Sequence, residues 1–355
     1  MDFTYEQGMG SSNVAHAHFL SKADLGFRLN GAQSMKAPRK SEESPVMQQP
    51  IKLIIDTDPG IDDAMAIFYA AAAPDIDLLG LTTIFGNVTT KMATRNALRL
   101  LDWLNVTGVP VAEGMPQPRQ LPPFPPTAIV HGTEGFGDIP GAQPRGEKTD
   151  ESAPEFLSRM AREHKGELVI CPIGPLTNIA AALDLDPDFA SNVARIVLMG
   201  GSLEEGGNIN AHAEANIYHD PHAAEEVFSS DANVTMVGLD VTHRILCTSD
   251  DFNAIEAAAP RLGKMINQMS RFYLHFYTTV GKRDGCSLHD PAAVIACTHP
   301  ELFTARPVPI TVSCDGETSG ATQPAQDERS PTDVLMAVNA PAVKQQFLSV
   351  MRSLD

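Results

Sequence analysis

Apolar positions along this chain follow two alternating patterns from residue 51 onward. Short, nearly continuous apolar runs read as strands: KLIID (52–56), IDLLGLTTIFG (76–86), VPVAEG (109–114), ELVICPIG (167–174), RIVLMGG (195–201), VTMVGLDVT (234–242) and VPITVS (308–313). Runs with no polar alternation suit a parallel sheet buried on both faces. Between most of them lie stretches with helical periodicity: 61–73, 89–105, 153–164, 176–185 and 220–230. Strand and helix alternating at this spacing predict right-handed βαβ units and an α/β fold, an open, mostly parallel Rossmann-like sheet flanked by helices. The helical stretches after residue 249 (250–281 and 290–298) are expected to form a C-terminal helical cap beside the active site.

Two segments break the pattern. Residues 1–49 show no sustained periodicity and end in polar, Pro-containing sequence, so they read as a flexible N-terminal arm before a domain spanning 50–355. Residues 115–149 are rich in Pro and Gly and read as one long loop, a length usually tied to function or disorder.

Composition narrows the class. The formal net charge of −18 argues against a nucleic-acid or anionic-membrane partner. No apolar run reaches about 18 residues, so no membrane span is indicated. Five cysteines, an odd number with no CxxC pair, make a disulfide framework improbable and favour a reducing, cytoplasmic setting. Those in apolar surroundings (Cys171, Cys247, Cys297) read as core, and Trp103 as packing in a helix.

The sharpest chemical signal is DTDPGIDDAMAI, residues 56–67. Asp56 and Asp58 alternate to the same side at the end of a strand, and Asp62 and Asp63 fall in the first turn of the following helix. One or two acids in a first helical turn are explained by the macrodipole. Four carboxylates with only Lys52 as a nearby base call for a cation or a held proton. An EF-hand loop fails, because the twelfth position from Asp56 is Ile67 and not a bidentate Glu. A phosphatase of haloacid-dehalogenase type would use D-x-D after a first strand, but leaves Asp62 and Asp63 unexplained. A hard-cation site activating water uses all of them, and carboxylates without Cys or paired His favour Ca²⁺ or Mg²⁺.

The order of motifs widens the picture. DTDPGIDDAMAI is followed by TTIFGN, VHGTEG, PIGPLTNIA, VLMGG, GNINAHAEANIYHDP, MVGLDVT and LHDP. This series closely resembles the inosine-uridine-preferring nucleoside hydrolase family over nearly all of residues 51–350. The resemblance implies a Ca²⁺-dependent hydrolase that cleaves ribonucleosides to ribose and free base and works as a homo-oligomer, a dimer or tetramer. It implies metal ligands Asp58, Asp63, Asp290 and the carbonyl of Ile173, with Asp58 also the catalytic base. It implies ribose contacts from Asp62, Asn87, Asn208, Glu214 and Asn216, and base-side histidines at His289 and His131. Ile173 stands where many relatives have Thr, and Ala215 where many have Phe. The rivals are the phosphatase and a non-catalytic nucleoside-binding protein, which would not need a water-activating cation.

Overall fold

The computed structural model describes residues 49–355, Asp138 excepted, so all but the last residue of the expected arm lies outside the described residues. Twelve strands are formed: β1 (Ile51–Thr57), β2 (Ile76–Thr83), β3 (Val111–Glu113), β4 (Leu168–Pro172), β5 (Arg195–Met199), β6 (Val234–Val237), β7 (Leu246–Cys247), β8 (Cys286–Ser287), β9 (Phe303–Val308), β10 (Ile310–Val312), β11 (Thr322–Pro324) and β12 (Thr332–Val338). Eight of them make one sheet in the order β3-β2-β1-β4-β5-β6-β12-β9. Every pairing in it is parallel except β12 with β9.

Strand periodicity divides the core into two layers. In β1, Leu53 and Ile55 join one apolar cluster and Ile54 joins the other. In β4, Val169 and Cys171 face the first, Leu168 and Ile170 the second. Helices Ile61–Ala72 and Thr90–Leu104, which cross from β1 to β2 and from β2 to β3, cover the first face. Helices Ala153–Glu163, Thr177–Leu185 and Pro221–Ser229, which lead on to β4, β5 and β6, cover the second. Right-handed crossovers require this change of face when the chain reverses its direction of travel across the sheet. The reversal lies between β1 and β4, and ligands of open α/β sheets bind outside the strand ends at such a point. Asp56 and Asp58 sit at the end of β1, and Ile173 at the end of β4.

Three expectations need correction. VPITVS contributes β10 to a separate two-stranded ribbon with β11, and the central sheet instead takes β12, from TDVLMAV. The run 234–242 is a strand only to Val237, and Leu239–Thr242 turns into a short helix. Of the expected cap, helices Ser249–Ala258 and Leu262–Thr279 pack on each other, but His289–Thr298 lies against helix Ile61–Ala72 and β5 as part of the main helical layer. All five cysteines are free thiols, and Cys171, Cys247, Cys286 and Cys297 are buried. Among the described residues no helix is long and apolar enough to cross a membrane.

Candidate active site

Pro59 and Gly60 end β1, and helix Ile61–Ala72 starts with Asp62 and Asp63 in its first turn. Nearly every residue of that helix is buried, so the two acids are carried into the interior by the apolar residues behind them. Asp63 organises the turn. Its Oδ1 accepts from Thr57 Oγ1 (2.6 Å) and Asp58 N–H (3.2 Å), and its Oδ2 from Gly60 N–H and Asn87 Nδ2 (both 3.0 Å). Asp58 Oδ2 accepts from Asn87 N–H at 2.6 Å, while its Oδ1 is buried without a partner. Gly86 makes room for this contact, since a Cβ there would lie 2.1 Å from Asp58 Oδ2 and its φ is +150°. Asp62 Oδ2 accepts from Tyr273 OH at 2.9 Å, and its Oδ1 also lacks a partner.

Asp290 joins them from the first turn of helix His289–Thr298. Oxygens of Asp62, Asp63 and Asp290 lie within 4.8 Å of one another, a geometry that could hold a metal ion. Asp58 stands beside this trio, and its carboxyl is pushed well above the usual range by burial and by the charges of Asp63 and Asp62. Burial does the same to Asp290, with Asp62 and Asp63 next in weight, and raises Asp62 to about 6. Two helix N-termini, at Ile61 and His289, converge on the cluster. Asp56 does not belong to it: Thr82 Oγ1 and Asn178 Nδ2 hold its Oδ1 at 2.6 and 2.7 Å, tying β1 to its neighbours. Lys52 gives no compensation, because it pairs with Glu167 at the opposite end of the strand.

Above the carboxylates opens a cavity of about 400 Å³, within the range of small-molecule sites. It gathers Asp62, Asn87, His131, Ile173, Asn208, Glu214, Asn216, His289 and Asp290 from distant parts of the chain, with Asp58 and Asp63 buried beneath. Glu214 caps the short helix Ala215–His219, accepting from Asn216 N–H (3.0 Å) and Ile217 N–H (3.2 Å), and also takes Gly201 N–H (3.1 Å). Burial outweighs these bonds and raises its carboxyl to about 7. Asn208 Oδ1 takes Ala215 N–H at 2.9 Å. Asn216 Nδ2 donates to the carbonyls of Ile173 (3.0 Å) and Met199 (3.1 Å).

Both histidines are buried. His131 sits at the end of a short helix, Ala128–His131, within the long loop. Its Nδ1 accepts from Ile61 N–H at 3.1 Å, which leaves the proton on Nε2, and burial lowers its pKa to about 4. His289 Nδ1 meets Thr242 Oγ1 at 2.8 Å and Nε2 meets Tyr277 OH at 2.7 Å. Burial, with His243 and Arg283 nearby, holds its pKa well below the ordinary value, so it is neutral. Tyr277 and Tyr273, 3.5 Å apart at their hydroxyls, complete a chain from His289 to Asp62. Neither tyrosine is singled out by the sequence motifs. The available signal is their i, i+4 spacing in RFYLHFYTT, which puts both on one helix face.

The sequence model described as "Inosine-uridine preferring nucleoside hydrolase" matches residues 53–345. The chain belongs to that family. The hydrolase is 43% identical over 277 residues to "Probable uridine nucleosidase 2" of Arabidopsis thaliana, covering 76% of this chain and 84% of that protein. It is 35% identical over 272 residues to the "Inosine-uridine preferring nucleoside hydrolase" of Crithidia fasciculata, covering 76% and 85%. Among solved structures it superposes on "Plant nucleoside hydrolase - PpNRh1 enzyme" with a TM-score of 0.83, at 36% identity, over 86% of this chain and 99% of that one. A purine-preferring ribonucleoside hydrolase from Gardnerella vaginalis gives 0.82, at 37% identity, over 85% and 98%. The phosphatase and binding-only readings give way to a nucleoside hydrolase.

Proposed function

We propose that this hydrolase uses Ca²⁺ held by Asp58, Asp63, Asp290 and the Ile173 carbonyl to cleave the N-glycosidic bond of ribonucleosides. One observation carries the reading: four carboxylates are buried together at a cavity floor, with Asp58 Oδ1 and Asp62 Oδ1 lacking a hydrogen-bond partner and, among the described residues, no Lys or Arg paired with any of them. Their donor set is all oxygen, which fits a hard cation. The bound ion would lower the pKa of a coordinated water.

The chain's own groups divide the remaining work. Asp58 Oδ1, free while Oδ2 is held by Asn87, is the atom that takes the proton of the attacking water. Asp62, Asn87, Asn208, Glu214 and Asn216 would hold the ribose hydroxyls and stabilise positive charge developing on the sugar. Water oxygen bonds to the anomeric carbon, and the C–N electron pair leaves with the base. Neutral His289 orients Tyr277 OH, which would hydrogen-bond to the departing base, and His131 Nε2–H faces the same cavity as a hydrogen-bond donor. We place the enzyme in the cytoplasm, on its reduced cysteines, and as a homodimer or homotetramer.

A panel of uridine, cytidine, inosine, adenosine and guanosine, assayed before and after dialysis against a calcium chelator, tests the reading. Turnover should vanish on metal removal and return with Ca²⁺; unchanged rates after verified removal would end the metal assignment. At saturating Ca²⁺, Asp58→Asn should lower kcat by on the order of 10² or more, and near-normal turnover would move the base role elsewhere.

A further inference from the structure

The segment QLPPFPPT, residues 120–127, joins β3 to the helix that carries His131, and its stretch 122–127 belongs to no helix or strand. Exposure along it repeats every three residues. Leu121, Phe124 and Thr127 are half-buried, while Pro122, Pro123, Pro125 and Pro126 are exposed. Three residues per turn is the period of polyproline II, which needs no internal hydrogen bonds. Four prolines in five positions fix φ near −65° and remove the N–H groups that would otherwise demand partners. Both ends are anchored: Arg119 N–H donates to Asp220 Oδ2 at 2.9 Å, and Thr127 N–H to Asn87 O at 3.1 Å. In the middle, the Phe124 ring packs against Tyr218 and His219, each 5.3 Å away between centroids.

One ridge of this helix therefore rests on the enzyme, and the other two stand in solvent. They carry two Pro-Pro dipeptides three residues apart. Grooves that read polyproline II grip such a ligand between aromatic side chains on two of its ridges and ignore the third. We propose that residues 121–126 are a docking surface for a partner protein bearing an aromatic-lined polyproline-reading groove. Charge selects among such grooves. Arg119 is already paired with Asp184 and Glu226, so no free basic side chain of the strap remains for an acidic specificity pocket. The chain's formal net charge of −18 would repel an acidic groove as well. The occupant is accordingly a neutral or basic groove of WW type. Because the prolines hold the bound conformation in advance, little ordering entropy opposes docking.

The test is to titrate the full chain into an isotope-labelled WW domain that takes Pro-Pro ligands, beside a free peptide of residues 119–128. The expected result is chemical-shift change confined to the groove's Trp and Tyr, with the folded chain binding at least as tightly as the peptide. The double variant Pro123→Ala, Pro126→Ala should bind at least tenfold more weakly while turning over nucleosides at the parental rate. That unchanged rate shows that it is folded. Binding of the peptide but not of the chain would overturn the proposal by showing the strap to be covered. So would binding of neither, or a double variant that binds like the parent. Tighter binding to an SH3 domain with an acidic pocket would overturn the charge assignment.

Discussion

His289 and Glu214 are each set by burial, and each makes a separable prediction. If His289, through Tyr277 OH, stabilises the departing base, His289→Ala should slow ordinary nucleosides strongly and nearly spare a nitrophenyl riboside, whose leaving group needs no such help. Equal losses on both substrates would make His289 structural. Glu214 is half protonated near pH 7, against an ordinary value of 4.5. Between these values the folded chain holds a proton that the unfolded chain has lost. Its contribution therefore favours the fold below about pH 4.5 and declines as pH rises toward 7, by on the order of 3 kcal/mol in all. Activity should move the other way, since holding ribose hydroxyls needs the ionised acceptor. The kcat/KM profile should show an acid limb near 7 that Glu214→Gln removes, and thermal melts of the variant should lose the corresponding slope. An unaltered limb in Glu214→Gln would assign it to another group. These residues could be named from motif order, yet their protonation states could not. Burial and neighbours decide those, as with His131, which reads as a loop histidine in sequence but is walled in and accepts a backbone N–H.

Helix Thr90–Leu104 does more than cover the sheet. From its buried Asn96, Nδ2 donates to the carbonyls of Pro59 (3.3 Å) and Glu134 (2.8 Å), joining the aspartate turn to the loop that follows His131. Arg99, stacked over Trp103 at 4.8 Å, reaches the Pro140 carbonyl at 2.8 Å, and Arg95 pairs with Glu134 at 2.8 Å. Asn96→Ala leaves one buried and one half-buried carbonyl without this partner, a loss on the order of 1–3 kcal/mol. We expect a melting temperature lower by several degrees and a raised KM for nucleosides, with Ca²⁺ affinity little changed. A KM equal to the parent's would limit Asn96 to stability. Elements were legible where their partners are close in sequence: β1, its turn and helix Ile61–Ala72 follow from one run of residues. They were not legible where a distant strand decides. TDVLMAV and VPITVS both read as short apolar runs, but only the first finds β6 to pair with, and Asn96 looks like any helical Asn until Pro59 and Glu134 fold onto it.

At the scale of the molecule, the chain reverses its direction of travel across the sheet between β1 and β4, beside the buried carboxylates. The aspartate turn comes from β1, the Ile173 carbonyl from β4, and Asp290 from a helix more than a hundred residues later. Such an assembly would repel itself if every carboxylate were ionised, yet two features relieve it without an ion. Burial, with mutual repulsion, raises the pKa values of Asp58 and Asp290 and so opposes full ionisation of the cluster. The helices beginning at Ile61 and His289 aim their N-termini at it, each carrying roughly half a positive charge. If the site takes a cation as proposed, we expect the chain to finish folding with that ion still in solution, so that loading is a separate, later event. Protein refolded in chelator and then given Ca²⁺ should regain activity in a single phase whose rate climbs with ion concentration. A recovery that keeps the pace of refolding, whatever the Ca²⁺ concentration, would mean the floor is built only around the ion. Timing, on this view, is written into the architecture: a finished enzyme can wait unloaded and be switched on by the arrival of an ion, with no refolding.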